Sequence, residues 1–173
     1  MLTAFVTGIV VILAFLLQSS FFPTITLLDI SPNVILMVTV CFGFMRGKRF
    51  GMLVGFFSGI LVDVFFGPIF GINALVYMFI GYFNGHLYKV FFDEEIKVPM
   101  LLVAVSDLIY GIVFYVVQFA TRSRFAFPQY FTGVILPECI YTVVLTLIFY
   151  RLLHKIDKLL SDNELEGQQS PWL

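Results

Sequence analysis

The chain has 173 residues, of which 60% are hydrophobic and 12% charged, and its net charge is −1. Soluble domains hold about 45–50% apolar and about 25% charged residues, so this apolar excess does not fit a soluble core of such size. The near-neutral balance offers no basic field for nucleic acid, and the bilayer becomes the expected solvent.

Residues 1–28 contain no charged side chain. With no basic leader and no small-x-small cleavage site, the N-terminus reads as a retained span. A spanning helix needs about 20 mostly apolar residues. Six segments are assigned to that role: residues 2–22, 32–45, 50–66, 72–90, 98–120 and 131–153. The first ends in Gln18, Ser19 and Ser20 and is broken by Pro23. Residues 24–31 form a connection with an apolar centre, expected at the interface. Ser31 and Pro32 read as the N-cap and first-turn pair of span two. That span covers only about 21 Å. Either the connection before it dips inward or the bundle thins the membrane.

Arg46-Gly47-Lys48-Arg49 reads as a tight basic turn, and residues 67–71 as a second tight turn without charge. Residues 93–97 form a charged loop, and residues 121–130 a loop holding Arg122, Arg124 and Pro128. Residues 1–153 are thus expected to be one six-helix transmembrane domain. Residues 154–173 follow as a cytoplasmic tail, disordered from residue 161 onward.

The stretch 42–85 organises this plan. Glycine recurs every fourth residue at Gly43, Gly47, Gly51, Gly55 and Gly59, Asp63 takes the next slot, and Gly67 and Gly71 follow. Residues four apart share a helix face. The ladder therefore draws a groove of missing side chains that ends in a carboxylate. Glycine inside a helix costs roughly 1 kcal/mol against alanine in water. In lipid, small residues let helix backbones approach, and that drives association. Gly51, Gly55 and Gly59, with Gly81 and Gly85 on span four, are the packing residues.

Lysine and arginine in short loops set orientation. With a cytoplasmic N-terminus, the inside holds Arg46, Lys48, Arg49, Lys89, Lys97, Arg151, Lys155 and Lys158, and the outside only Arg122 and Arg124. Both termini are then cytoplasmic. A re-entrant span two would instead leave five spans and move the N-terminus outside. Arg46, Lys48 and Arg49 read as anchors of the inner turn.

Ionisable groups at bilayer depth cost about 2.5–3.5 kcal/mol on insertion scales and are candidate functional groups. Asp63, Asp107 and Glu138 qualify, and none has a basic residue within its own span. Asp63 sits across a short turn from the free N–H groups of span four. It reads either as a cap for that helix, with Asn73 helping, or as a contact for a partner's residue. Asp107 and Glu138 read as neutral acids in interhelical hydrogen bonds, with proton relay or substrate ligation as the alternative. Tyr110 and Tyr141 lie three residues on, at a spacing that brings them to the same face. Gln18, Ser19 and Ser20 are expected to bond across helices, and His86 to be an interface residue. Cys41 and Cys139 lie in apolar runs without metal-ligand spacing. No nucleophile elbow, P-loop or dinucleotide fingerprint is present, so no cofactor, metal or catalytic residue is assigned.

LLQSSFFP (16–23), SPN (31–33) and FGFMRGKRFGMLVGFFSGILVDVFFGPIFGINALVY (42–77), with LPECIYTVVLTLIFY (136–150), resemble the bacterial rod shape-determining MreD family. Thr142 stands where that resemblance leads one to expect asparagine. The resemblance implies a non-enzymatic inner-membrane subunit of the cell-elongation machinery. It would bind MreC, a bitopic protein, and be linked with MreB, RodA and a class B penicillin-binding transpeptidase. It also implies a compact bundle like the substrate-binding subunits of energy-coupling-factor (ECF) vitamin transporters. The rival function is therefore a small-molecule-binding transporter subunit, with a pocket near Asp63, Asn73 and Glu138.

Overall fold

The computed structural model describes residues 2–22, 30–67, 69–87, 97–122 and 127–169. Apart from short turns and connections these are helical, with no β-strand among them. Helix α1 (Leu2–Leu16) runs on through a π-helical turn (Leu17–Phe21). Then come α2 (Val34–Arg46), α3 (Lys48–Phe66), α4 (Ile72–His86) and α5 (Lys97–Arg122). A short α6 (Phe127–Tyr130) joins α7 (Leu136–Gln169) through a second π turn, Phe131–Ile135. Pro137 has no N–H for the carbonyl of Gly133 four residues back, and the π turn lies where that bond is missing.

Among the described residues, four helical segments are long and apolar enough to cross a bilayer: Thr3–Phe21, Lys48–Phe66, Lys97–Val117 and Phe127–Asp162. The other two assigned spans are shorter than that. Helix α4 has 15 residues and carries Asn73, Asn84 and His86; residues 88–90 lie outside the described residues. Helix α2 has 13 residues, and every one from Val34 to Phe44 is buried. It touches α1, α3, α4, α5 and α7, so it is the hub of the bundle. A helix of this length rises only about 20 Å against a hydrocarbon core of about 30 Å. The mismatch does not expose backbone to lipid, because protein surrounds the helix. The stretch 42–85 therefore supplies the tightest contact, but the other helices gather around α2.

That contact is the α3–α4 hairpin, the closest-packed pair of helices. A Cβ on Gly51 would run into the Gly81 carbonyl, one on Gly55 into the Tyr77 carbonyl, and one on Gly59 into Ala74. A Cβ on Gly85 would come to 2.5 Å from Lys48 Cα. Backbone here lies on backbone, the geometry that small residues permit in lipid. Large apolar side chains such as Phe57, Phe65, Phe83 and Ile148 point outward, where hydrocarbon solvates them.

The turn between α2 and α3 is a single residue. Gly47 has φ 88° and ψ 176°, a backbone conformation that favours glycine. Arg46 does not face solvent. Its guanidinium pairs with the Asp157 carboxylate on α7 and lies 5.4 Å from the Phe50 ring centre. Lys48 and Arg49 are exposed. Helix α7 runs past residue 153 into the segment assigned to the tail and continues to Gln169. Leu153 and Leu160 are buried and Asp157 holds Arg46, so this extension has packing and an ion pair to order it.

Candidate functional site

The chemistry concentrates where α2 and α4 begin. A helix start leaves backbone N–H groups without partners. In hydrocarbon, water cannot supply them. Asp63, on the last turn of α3 and 4% exposed, closes α4. Its Oδ2 accepts from Gly71 N (3.0 Å) and Ala74 N (2.8 Å). Its Oδ1 accepts from Asn73 N (3.1 Å) and Asn73 Nδ2 (3.0 Å). Gly71, with φ 98°, turns the chain so that these donors converge. The carboxylate also faces the positive end of the α4 dipole.

Helix α2 is closed by three other residues. The N-cap is Asn33 and not Ser31: Asn33 Oδ1 accepts from Leu36 N at 3.2 Å. Gln18, in the π turn of α1, reaches across so that its Oε1 accepts from Ile35 N at 3.0 Å. Asn33 N donates to Thr142 Oγ1 on α7 at 3.0 Å. Thr142 is fully buried and serves this polar role in place of the asparagine that the resemblance suggests. Of the neighbouring serines, Ser19 bonds Leu16 O of its own helix and not another helix.

Two tyrosines join the caps. The Tyr77 hydroxyl donates to Asn33 Oδ1 (2.8 Å), and the Tyr110 hydroxyl donates to Asn73 Oδ1 (3.0 Å). Their rings lie 5.3 Å apart. A polar seam thus runs from Asp63 through Asn73 and Tyr110 beside Tyr77, Asn33 and Thr142, linking α3, α4, α5, α2 and α7. A separate bond, Asn84 Nδ2 to Ser106 Oγ at 2.9 Å, ties α4 to α5. His86 is exposed at the end of α4, not packed in an interface.

Asp107 is different. It is 3% exposed and faces Asn33 and Thr142, yet neither carboxyl oxygen has a hydrogen-bond partner among the described residues. Tyr110, expected to face it, turns to Asn73 instead. Glu138 is half-buried near Asp107, and Tyr141 packs edge-on against Phe22 with ring centres 6.0 Å apart. Because removing the Asp107 charge strands no bonded partner, Asp107→Asn is expected to keep thermal stability within about 1 kcal/mol of wild type. Melting of the detergent-purified protein checks this.

Among the described residues no group of three or more His, Cys, Asp and Glu side chains is placed to hold a metal. The free thiols Cys41 and Cys139 are buried. Asn33 is the capping residue that sequence reasoning misses. Its signal is an asparagine directly ahead of an apolar helical run, a strong N-cap signature.

The family described as rod shape-determining protein MreD matches residues 1–156 of the chain. No curated protein and no solved structure is found to match it, so the expected likeness to ECF substrate-binding subunits finds no counterpart.

Proposed function

The chain belongs to the rod shape-determining MreD family, and from that premise we propose that it is the multi-pass platform on which MreC is held in the cell-elongation complex. In this reading it is a non-enzymatic subunit of the bacterial inner membrane. All six rods cross the bilayer and both termini face the cytoplasm. It supports peripheral peptidoglycan synthesis in an assembly with MreB, RodA and a class B penicillin-binding transpeptidase.

The family match across residues 1–156 carries the reading. The architecture suits it. Backbone packing and the capped seam make a stiff scaffold, and stiffness lowers the cost of presenting a surface to a partner. Phe70, at the turn between α3 and α4, is 70% exposed beside Ile69, an apolar knob available to a partner on the outer side. Two of the three polar groups assigned to a vitamin pocket, Asp63 and Asn73, are used in closing α4; Glu138 is not.

Full-length protein co-expressed with MreC tests the proposal. We expect the two to purify together, and a Phe70→Cys variant to cross-link to MreC. A chain that ignores MreC and purifies with a stoichiometric small molecule would end the platform reading. In the same cells, Asp107→Asn and Glu138→Gln are expected to preserve rod shape.

A further inference from the structure

Asp107 on α5 is 3% exposed, yet both of its carboxyl oxygens lack a hydrogen-bond partner among the described residues. Its polar neighbours direct their donors elsewhere. The Tyr77 hydroxyl donates to Asn33 Oδ1 and the Tyr110 hydroxyl to Asn73 Oδ1. The Thr142 hydroxyl donates to the Glu138 carbonyl at 2.9 Å, and Asn33 N donates to Thr142 Oγ1. The Cys139 thiol donates to the Ala104 carbonyl at 3.6 Å. Glu138, on α7, brings a second carboxylate near Asp107. Neither acid forms an ion pair with a described residue.

Protonation does not remedy this. A neutral carboxyl carries an O–H to donate, and Asp107 meets no acceptor either. A buried polar group left open costs free energy, and an acid at bilayer depth is ordinarily paired. The missing group is therefore a donor, and with two acids to meet it is a cationic one. Both oxygens of the Asp107 carboxylate are open, the arrangement that a guanidinium meets with two parallel N–H bonds. Tyr77 and Tyr110, with rings 5.3 Å apart, lie near both acids, and a guanidinium rests well on aromatic faces. It is also more weakly hydrated than an ammonium and keeps its charge when buried. Glu138 is half-buried where Asp107 is closed, so the approach is from its side. The turn just before it, Phe131–Ile135, is π-helical, a distortion frequent at functional sites.

We propose that Asp107 and Glu138 bind a guanidinium group, supplied by an arginine side chain of the partner that this platform holds. Asp107 takes the fork, Glu138 an outer N–H, and the tyrosine rings the flat face. The source of the group rests on the platform reading; the guanidinium site itself does not.

The test melts the full chain in detergent with arginine amide or with citrulline amide, in which an uncharged urea replaces the guanidinium. Wild type should melt higher with arginine amide alone. The Asp107→Asn/Glu138→Gln double variant should melt close to wild type without ligand and gain nothing from either amide. Co-expressed with MreC, it should retain that chain roughly thirtyfold more weakly, the loss expected when one side of a buried charge pair is removed. Each single variant keeps one carboxylate, and with it rod shape. No response of wild type to arginine amide, an equal response to both amides, or an undiminished response of the double variant would overturn the site. Undiminished retention of MreC by the double variant would overturn the assigned source. Wild type that responds to arginine amide but fails to retain MreC would sink the platform reading and support the guanidinium site.

Discussion

Gly55→Leu is expected to remove the folded bundle from the membrane extract. Gly55 lies where α3 crosses α4, and any side chain would be driven into the carbonyl of Tyr77. A clash with a flexible side chain is relieved by a rotamer change. A clash with backbone is relieved only by moving a helix. Overpacking of a tight core ordinarily costs about 1–3 kcal/mol. Separating two helices along a whole glycine face goes beyond that, to about 4 kcal/mol or more, the range of losses that single substitutions rarely reach. Tyr77 also carries the bond to Asn33, so displacing α4 would disturb the cap of α2 as well. Fluorescence-detected size exclusion after mild solubilisation should show the monodisperse peak of wild type lost. Gly8→Leu is the control: it adds the same side chain to another helical glycine, in open space, and should keep the peak. If the two variants behaved alike, the glycine ladder would not be what holds α3 to α4.

Much of this arrangement is legible in the residues, for a local reason. The ladder Gly51, Gly55, Gly59 has one physical use at its spacing, and its partner helix follows after a short turn, so sequence neighbours are also contact neighbours. Asp63 is legible on the same ground, because the N–H groups it accepts belong to the next helix. What lies hidden depends on distant pairs. Asn33 and Thr142 are separated by 109 positions, and Gln18 and Ile35 belong to different helices. No spacing rule connects them.

The central place of α2 is hidden for another reason. Its residues are apolar all round, a pattern that fits a lipid-facing span and a protein-enclosed hub equally well. Length is the one clue, since a helix too short for the bilayer must be wrapped by its neighbours or deform the membrane around it. The helical continuation of α7 is hidden too. Polar composition beyond residue 153 reads as tail, while the order comes from Asp157 meeting Arg46 111 positions away.

Asp63→Ala is the second substitution with a large expected effect, and it separates capping from glycine packing. Four donors lose their acceptor at once: the backbone N–H groups of Gly71, Asn73 and Ala74, and the Asn73 amide. Each unsatisfied buried donor costs about 1–3 kcal/mol, although rearrangement of the turn can recover part of the sum. The favourable meeting of carboxylate and helix dipole, worth up to about 2 kcal/mol, is lost as well. We therefore expect a loss of about 3–5 kcal/mol, comparable to breaking a buried charge partnership. Asp63→Asn should lie between alanine and wild type. An amide oxygen still accepts, but the amide nitrogen then opposes N–H groups. Relief requires Asn73 to flip its own amide, which turns an N–H toward the Tyr110 hydroxyl that now donates to it. The order of melting in detergent should thus be wild type, asparagine, alanine, with Asp107→Asn close to wild type. An Asp63→Ala protein that melted alongside Asp107→Asn would mean that α4 does not depend on its carboxylate cap.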